Sequence, residues 1–494
     1  MAIKTNRANT AQVPDGGWGW AVVAGVALMN SFNQSVLSVF GLLFGEHLQN
    51  MGEGTTGAAL VSNLNSLALN LSGLFIGPAI KTFAPRRVAF AGCFLTSFGL
   101  LMCSVSTRLW HVIICYSIIV GLGLGLISPS GFMAINTYFK EKRGVAVGAA
   151  MAGTGVGQMI LPHIVRYLLD YYGFRMTTVV LGSLALHGLV GASLFRPLNP
   201  PNKRKKRNVK EVKLLLQDDK VKNEEQNDHE ISYSAKLAEQ KRDITDKRKS
   251  LDDHEITFMN DPSEKHRRHK SQGIFHRIAC NLANAMDLEL LKDPIFISIC
   301  AGIGLVYTST INFSMLFPYF LQFSANLSRG NTAVCMSVLA GADIVCRIGF
   351  PMITDRLKMS YRLVFLMGAI GMFFGRAILA ESSNYYVLIV LSAICGGFKS
   401  ATVVNNNLTI SEYCTPETLP GGLGLNMIAK GIFAISIGQL LGWIRDYTGS
   451  YSLSLHAQDA LIIIVTVMWA PELVYKYFKN RKGNRDKSNS IPSA

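Results

Sequence analysis

The feature that most constrains the fold of this chain is a succession of apolar blocks, each about 20 residues long. A helix of that length crosses the hydrocarbon core of a bilayer, which is roughly 30 Å thick. Of the 494 residues, 49% are hydrophobic and only 16% are charged, and the mean hydropathy is positive. A soluble chain of average composition has about 25% charged residues. The sequence therefore predicts an all-α membrane protein that crosses the bilayer many times.

Twelve apolar blocks are separated by polar joints. The twelve predicted transmembrane helices are residues 18–44, 58–80, 88–105, 110–135, 144–168, 176–195, 294–322, 332–354, 363–380, 385–410, 421–444 and 453–475. They form an N-terminal six-helix half over 18–196 and a C-terminal six-helix half over 294–476. We interpret 1–17 and 477–494 as cytoplasmic tails, and 197–293 as a polar cytoplasmic linker that ends in an amphipathic helix.

The distribution of basic residues explains the net charge of +16. They cluster in alternate joints, at 81–87, 140–143 and 356–362, and in a run at 203–207. The positive-inside rule places these joints, and with them both termini, in the cytoplasm. The charge is therefore interpreted as a determinant of topology and of attraction to anionic membrane lipid, and not as a nucleic-acid site.

The two halves are similar to each other at a constant offset of 276 residues. Asp-Tyr-x-Gly occurs at 170–173 and 446–449, and Arg-x-Val-x-x-x-Gly occurs at 86–92 and 362–368. Because six spans return a chain to the side where it began, the two repeats have the same orientation. This arrangement resembles the plan of the major facilitator transporters, which hold a solute between two six-helix halves.

One span contains two charges that its repeat partner lacks. Asp343 and Arg347 lie four residues apart within 332–354, and the corresponding residues of the first half are Leu67 and Leu71. This spacing places both side chains on one helical face. A charge facing lipid at the bilayer centre costs roughly 2.5–3.5 kcal/mol, so the face is expected to look into the protein or a wet cavity. A static intrahelical salt bridge is the alternative interpretation.

Two stretches resemble the signatures of the monocarboxylate transporter family. One is DGGWGW at 15–20, and the other is YFKEKRGVAVGAAMAGTGVG at 138–157. The resemblance covers nearly the whole chain outside the linker and tails, and it implies a major facilitator fold. The signature residues that it connects with conformational change are Asp15, Gly16, Gly17, Trp18, Trp20, Arg143, Gly153 and Gly157. The alternatives are close helix packing for the glycines and an interfacial aromatic belt for the tryptophans.

The resemblance also implies roles for the charges of the eighth block. Arg347 would bind a carboxylate through parallel hydrogen bonds, and Asp343 would take up a proton. Family members that carry lactate with a proton have a lysine on the first span, where this sequence has Ser38. We expect Lys399, near the middle of the tenth block, to supply that positive charge. Pairing of Lys399 with Asp343 is the alternative.

Further polar residues lie within the apolar blocks. The predicted substrate-binding residues are Arg347, Lys399, Asn33, Gln34, Ser38 and Asn63. The competing interpretation of the asparagines is hydrogen bonding between helices. Arg376 is expected to extend its charge to the membrane surface from the end of its span.

The favoured function is transport of a small organic monocarboxylate or a related solute, with a proton as a possible partner. The first alternative is a proton-independent facilitator of amino-acid-like or zwitterionic solutes, and the second is a solute sensor that transports nothing. We expect no enzymatic activity, cofactor or metal site, because the sequence has no phosphate-binding loop, paired-cysteine motif or nucleophile motif. The resemblance further implies the plasma membrane and a single-pass ancillary glycoprotein as a possible partner.

Overall fold

The structure, a computed structural model, describes residues 14–52, 55–196 and 286–489. The predicted linker, 197–293, therefore lies outside the described residues except for its last eight positions. Most of the predicted amphipathic helix lies outside them as well.

The described part of the chain is helical and contains no strand. The helices of the first half are α1 (Trp18–Phe32), α2 (Phe40–Asn50), α3 (Thr55–Leu71), α4 (Gly73–Cys103), α5 (Leu109–Val112), α6 (Gly121–Tyr138) and α7 (Arg143–Ser193). Those of the second half are α8 (Pro294–Tyr319), α9 (Arg329–Arg356), α10 (Tyr361–Ala380), α11 (Tyr385–Tyr413), α12 (Leu419–Thr448) and α13 (Tyr451–Asn489). Short 3-10 helices occupy Gln34–Val39 and Leu288–Lys292, and π-helices occupy Ile113–Val120 and Phe320–Ser324.

Within the described residues, ten helical segments are long and apolar enough to cross a membrane. Two helices contain a break: α4 at Ala84 (φ 66°), which precedes Pro85, and α7 at Gly173 (φ 70°). A residue before proline is disfavoured in the helical region, and glycine readily adopts positive φ. Each break falls between two predicted blocks. The multi-pass all-α architecture is confirmed, while the count of twelve spans stays a prediction.

The first predicted block is not one continuous helix. It is interrupted after α1 by Asn33 and the 3-10 helix, and α2 then runs six residues past the predicted end at 44. Side chains in this stretch bond their own backbone, since Asn33 donates to the carbonyl of Met29 and Ser38 donates to that of Ser35. Such local bonds compete with helical geometry. At the other end of the chain, α13 continues to Asn489, beyond the predicted boundary at 476.

The internal repeat is visible in the backbone. Gly173 and Gly449, the glycines of the two Asp-Tyr-x-Gly copies, both have positive φ, 70° and 63°. Each stands between two successive helical stretches, and Gly449 follows the last residue of α12 in the left-handed conformation that often ends a helix. Both copies therefore place a glycine with positive φ between two helical stretches, although the ψ angles differ (−179° at Gly173 and 2° at Gly449).

The contact between α1 and α7 depends on two signature glycines. A β-carbon on Gly153 would overlap the backbone of Ala27, and one on Gly157 would overlap the carbonyl of Ser31. Ser31 Oγ donates to the carbonyl of Gly153 at 2.8 Å, and Asn30 Nδ2 donates to that of Ala150 at 3.0 Å. Small residues let two helices approach closely enough to form such interhelical bonds. The signature thus has a packing function in this structure.

Replacing Gly153 by alanine should lower the thermal unfolding midpoint of the purified protein. The added methyl group meets the backbone of Ala27, and overpacking of this kind typically costs about 1–3 kcal/mol. Gly341 on α9 is the matched control, because its added β-carbon would meet no atom within 4 Å. Gly341→Ala should leave the midpoint unchanged or raise it, since alanine is the better helix former. Equal midpoints for the two variants would contradict the account.

Candidate functional site

A cavity of about 310 Å³ lies between the two halves. This volume is within the range of small-molecule sites, about 300–1,000 Å³. Its lining from the first half is Val26, Asn30, Gln34, Leu37, Ser128, Phe132, Ile135, Val147, Ala150, Met151, Thr154 and Gln158, and from the second half it is Tyr307, Arg347, Val403 and Asn407. The wall is mostly apolar, with amide side chains and one guanidinium group.

Arg347 supplies the charge on the cavity wall and is held by an aspartate one turn away. Its Nε donates to Asp343 Oδ1 and its Nη2 donates to Asp343 Oδ2, both at 2.9 Å. Both residues are only 5% exposed. Parallel hydrogen bonds between a guanidinium and a carboxylate are among the strongest polar contacts in proteins. The sequence-based expectation that this helical face looks into the protein agrees with their burial.

Arg347 also connects the two halves. Its Nη1 donates to the backbone carbonyl of Met151, on α7 of the first half, at 2.8 Å. A guanidinium has five N–H donors, and the described contacts use three of them. No described residue accepts the remaining two, which belong to Nη1 and Nη2 beside the cavity. Guanidinium N–H groups are donors of the kind that bind carboxylates in proteins.

Lys399 lies next to the same aspartate. Its Nζ is 3.7 Å from Asp343 Oδ2, so one carboxylate faces two cations. The three side chains carry one net positive charge when all are ionised. Lys399 is not part of the cavity lining. Its observed partner is Asp343, which is the pairing that the sequence analysis gave as the alternative.

The other predicted binding residues have different surroundings. Gln34 lines the cavity, where its Nε2 donates to the carbonyl of Leu124 at 3.0 Å. Asn33 points away from it: its side chain is fully buried, and Nδ2 donates to the carbonyl of Ala185 in the last part of α7. Ser38 and Asn63 are exposed and lie outside the cavity lining.

Six polar residues of the cavity wall were not selected from the sequence. They are Asn30, Ser128, Thr154, Gln158, Tyr307 and Asn407. Each is a polar or amphipathic residue in an apolar block, and this is the sequence feature that could have identified it as a cavity residue. A buried interhelical asparagine gives the same signal as one that contacts solute.

The first signature fastens the start of α1 to the joint between α6 and α7. Asp15 Oδ1 accepts the backbone N–H groups of Lys140 at 2.7 Å, Glu141 at 2.8 Å and Lys142 at 3.3 Å. Asp15 N in turn donates to the carbonyl of Tyr138. The two family signatures therefore contact each other directly, and Asp15 acts as a cap for the joint that leads into α7.

The signature tryptophans add further contacts between α1 and neighbouring segments of the first half. Trp18 Nε1 donates to the carbonyl of Leu194 at 3.0 Å, and the Arg196 guanidinium lies 3.9 Å from the centre of the Trp18 ring. Trp20 packs edge-on against Phe139 at 5.2 Å. Gly17 has positive φ (58°) immediately before α1. These contacts tie the first helix to the end of the sixth block and to the joint at 139–142.

A second set of polar contacts joins the halves below the cavity. We call the end that carries the joints 81–87, 139–142 and 357–360 the basic end. There Asp355 Oδ2, from α9, accepts the backbone N–H of Val145, near the start of α7, at 2.9 Å. Arg143 contacts Ser411 Oγ at 3.4 Å, and Lys358 lies 3.7 Å from Glu141. These contacts hold the two halves together at the basic end.

Asp355→Ala should open the basic end. It removes the acceptor that holds the start of α7 to α9, and loss of such a cap costs about 0.5–2 kcal/mol. A cysteine introduced at Ala150, on the cavity wall, should then react several-fold faster with a membrane-impermeant thiol reagent added from the basic end. The measurement is the difference in labelling with and without that cysteine.

Lys358→Ala is the matched control at the same end. The Lys358–Glu141 pair is exposed on both sides, at 79% and 63%, and exposed ion pairs contribute little. Labelling in this variant should equal that of the parent protein. Faster labelling in Lys358→Ala than in Asp355→Ala would show that the backbone cap does not hold the basic end closed.

The environment of Arg376 differs from the sequence-based expectation that its charge reaches the membrane surface. Its side chain is fully buried instead of reaching the membrane surface, and its Nη2 lies 2.9 Å from Asp459 Oδ1. The same nitrogen donates to Ser309 Oγ at 3.0 Å. Asp459 lies in α13, so a carboxylate from the last span neutralises the arginine inside the second half and outside the cavity.

This combination defines a class of protein: a membrane protein with two helical halves around a central solute cavity. The sequence pattern of the Major Facilitator Superfamily matches residues 23–439. The fold is similar to that of the proton:xylose symporter XylE bound to 6-bromo-6-deoxy-D-glucose, with a TM-score of 0.61 and 14% identity over 92% of this chain and 95% of that one.

Two relatives place the chain more narrowly. It is 25% identical to Monocarboxylate transporter 12-B of Danio rerio over 95% of this chain and 90% of the relative. It is also 25% identical to Monocarboxylate transporter 9 of Pongo abelii over 91% and 92%. The chain belongs to the major facilitator superfamily, and its resemblance to the monocarboxylate transporters is confirmed. It is a membrane transporter by family, not an enzyme.

Proposed function

We propose that this protein moves a small organic monocarboxylate across the membrane by alternating access. The observation that carries the proposal is Arg347, which lines a cavity between the halves and has two N–H donors without a described acceptor. The relatives named as monocarboxylate transporters support an anionic solute. A carboxylate bound to these two donors would add one negative charge to a group of side chains with one excess positive charge.

A proton is the proposed partner of the solute. A carboxylate bound at Arg347 competes with Asp343 for the same guanidinium. If the solute weakens the Asp343–Arg347 bonds, the Asp343 carboxylate is left in a buried site beside Lys399. Uptake of a proton by Asp343 would then remove a buried charge that has lost part of its compensation.

The contacts between the halves at the basic end fit a state of a transport cycle in which this end is closed. The described hydrogen bonds and ion pairs between the halves lie at the level of the cavity or toward the basic end. If the basic joints face the cytoplasm, as the positive-inside rule predicts, this state is closed to the cytoplasm. Transport then requires the contacts of Asp355 and Arg143 to break while the contacts within each half persist.

The alternative is a proton-independent facilitator of amino-acid-like or zwitterionic solutes. Four amide side chains on the cavity wall favour it, because amides bind neutral and zwitterionic groups as readily as anions. They are Asn30, Gln34, Gln158 and Asn407. Acceleration of uptake by an inward proton gradient separates the two functions.

The proposal also includes a location in the plasma membrane, cytoplasmic termini and a single-pass ancillary glycoprotein as a partner.

Asp343→Asn and Arg347→Ala should each abolish proton-driven carboxylate uptake. The first variant removes the group that takes up the proton, and the second removes the partner of the solute carboxylate. Uptake is measured with a labelled monocarboxylate under an inward proton gradient and is divided by the amount of protein at the membrane. That correction is needed because breaking a buried ion pair is typically destabilising by about 3–5 kcal/mol.

The chain offers a matched control pair. Arg166 and Asp170 also lie four residues apart on one helix, but their side chains are exposed, at 78% and 66%. Arg166→Ala and Asp170→Asn should leave uptake unchanged. If Asp343→Asn or Arg347→Ala transports at the rate of these controls, the buried pair is only a structural salt bridge.

A further inference from the structure

Helix α7 of the first half crosses α9 of the second half at a glycine. Gly148 lies against the backbone carbonyl of Arg347, which an added β-carbon would overlap. Asp355 lies eight residues further along α9 and accepts the backbone N–H of Val145, near the start of α7. At this first crossing, a carboxylate of one half therefore binds a backbone N–H of the other.

Helix α12 crosses α4 at the equivalent glycine of the repeat. Gly424 is the repeat partner of Gly148, and a β-carbon on it would overlap the carbonyl of Gly73. The residue eight positions further along α4 is Lys81. Counted from the glycine contact, Lys81 therefore occupies at this second crossing the position that Asp355 occupies at the first.

The carboxylate of the second crossing comes from the segment that leads into α8. Helix α4 itself contains neither aspartate nor glutamate. Asp287 Oδ2 forms an ion pair with Lys81 Nζ, and the two side chains are 17% and 30% exposed. The same oxygen lies at the start of α12, because a β-carbon on Gly421 would overlap it. A carboxylate is favourable there, since the first turn of a helix carries a partial positive charge.

The segment that leads into α8 is attached to the second half. Met286 is buried, and Asp293 accepts the backbone N–H of Ile295 at 2.9 Å. Asp293 also accepts the hydroxyl of Tyr413, on α11. Asp287 lies between these two attachments. Its ion pair with α4 therefore crosses from the second half to the first.

We propose that the Lys81–Asp287 ion pair is a second latch of the basic end, where a latch is a polar contact between the halves that breaks when this end opens. It is equivalent to the contact between Asp355 and Val145, but α4 contributes a cation where α9 contributes a carboxylate. Asp287 belongs to the last eight positions of the predicted linker, which thus take part in holding the basic end closed. The inference rests on the proposed function, because alternating access requires both latches to break.

The test is thiol labelling of the full-length protein in oriented membrane vesicles, without solute and without a proton gradient. A cysteine at Ala150, on the cavity wall, reacts with a membrane-impermeant reagent added from the basic end, and the rate is compared with that of protein lacking this cysteine. Asp287→Ala and Lys81→Met should each accelerate labelling about threefold or more, because each removes one partner of a partly buried ion pair. The double variant should be no faster than either single one, since both changes remove the same contact.

Charge reversal distinguishes a latch from simple packing. Lys81→Asp alone should accelerate labelling at least as much as Lys81→Met, because it brings two carboxylates together. Combined with Asp287→Ala, it should return the rate to within about twofold of the parent value, because the new carboxylate can then bind the start of α12. That recovery also excludes misfolding as the cause of faster labelling in Asp287→Ala.

Glu289→Ala is the matched control. Glu289 is an exposed carboxylate two residues after Asp287, and no described residue forms an ion pair with it. Its removal should leave the labelling rate unchanged.

Parent-like labelling in Asp287→Ala and Lys81→Met would overturn the inference, as would failure of Lys81→Asp to slow labelling in the Asp287→Ala background. If Asp355→Ala still labels faster in that case, the proposed function stands and only the second latch is wrong. Unchanged labelling in all of these variants, Asp355→Ala included, would count against alternating access as well.

Discussion

The bonds of one guanidinium link the solute cavity, the charged face of α9 and the first half of the molecule. Arg347 is bound by Asp343 on its own helix and by the carbonyl of Met151 on the other half. A buried charge requires such compensation, so separation of the halves at this level must supply a replacement acceptor. A solute carboxylate is a suitable replacement. In the proposed transport cycle, solute binding and the relative position of the halves would be coupled through this guanidinium.

Near the start of α7, two different carboxylates accept backbone N–H groups. Asp15 binds the joint before α7 and belongs to the same half, whereas Asp355 binds Val145 from the opposite half. A rocking motion of one half against the other preserves the first contact and breaks the second. The glycines that pack α7 against α1 add to the rigidity of the first half. In the proposed alternating access, the signature residues Asp15, Gly153 and Gly157 would therefore keep the first half together as it moves.

The sequence predicted the features that depend on local composition. Apolar blocks, the two halves and the shared face of Asp343 and Arg347 follow from length, hydropathy and helical period. Features that depend on distant partners could not be predicted. Asn33 and Gln34 are neighbours, yet only Gln34 lines the cavity. Successive residues of a helical turn point in different directions, and which of them faces the cavity depends on how the helices pack. Arg376 was misjudged because its partner is contributed by another helix.

The most direct test of the central claim is a distance between Arg347 and bound solute. Solid-state NMR of the protein in lipid, with ¹⁵N in the arginine side chains and ¹³C in the carboxyl carbon of a saturating monocarboxylate, measures the dipolar coupling between them. A bidentate contact predicts a carbon–nitrogen separation below about 4 Å, and the coupling should disappear in Arg347→Lys if the guanidinium of this residue is its source. Bound carboxylate without such a coupling, or an equal coupling in Arg347→Lys, would contradict the account.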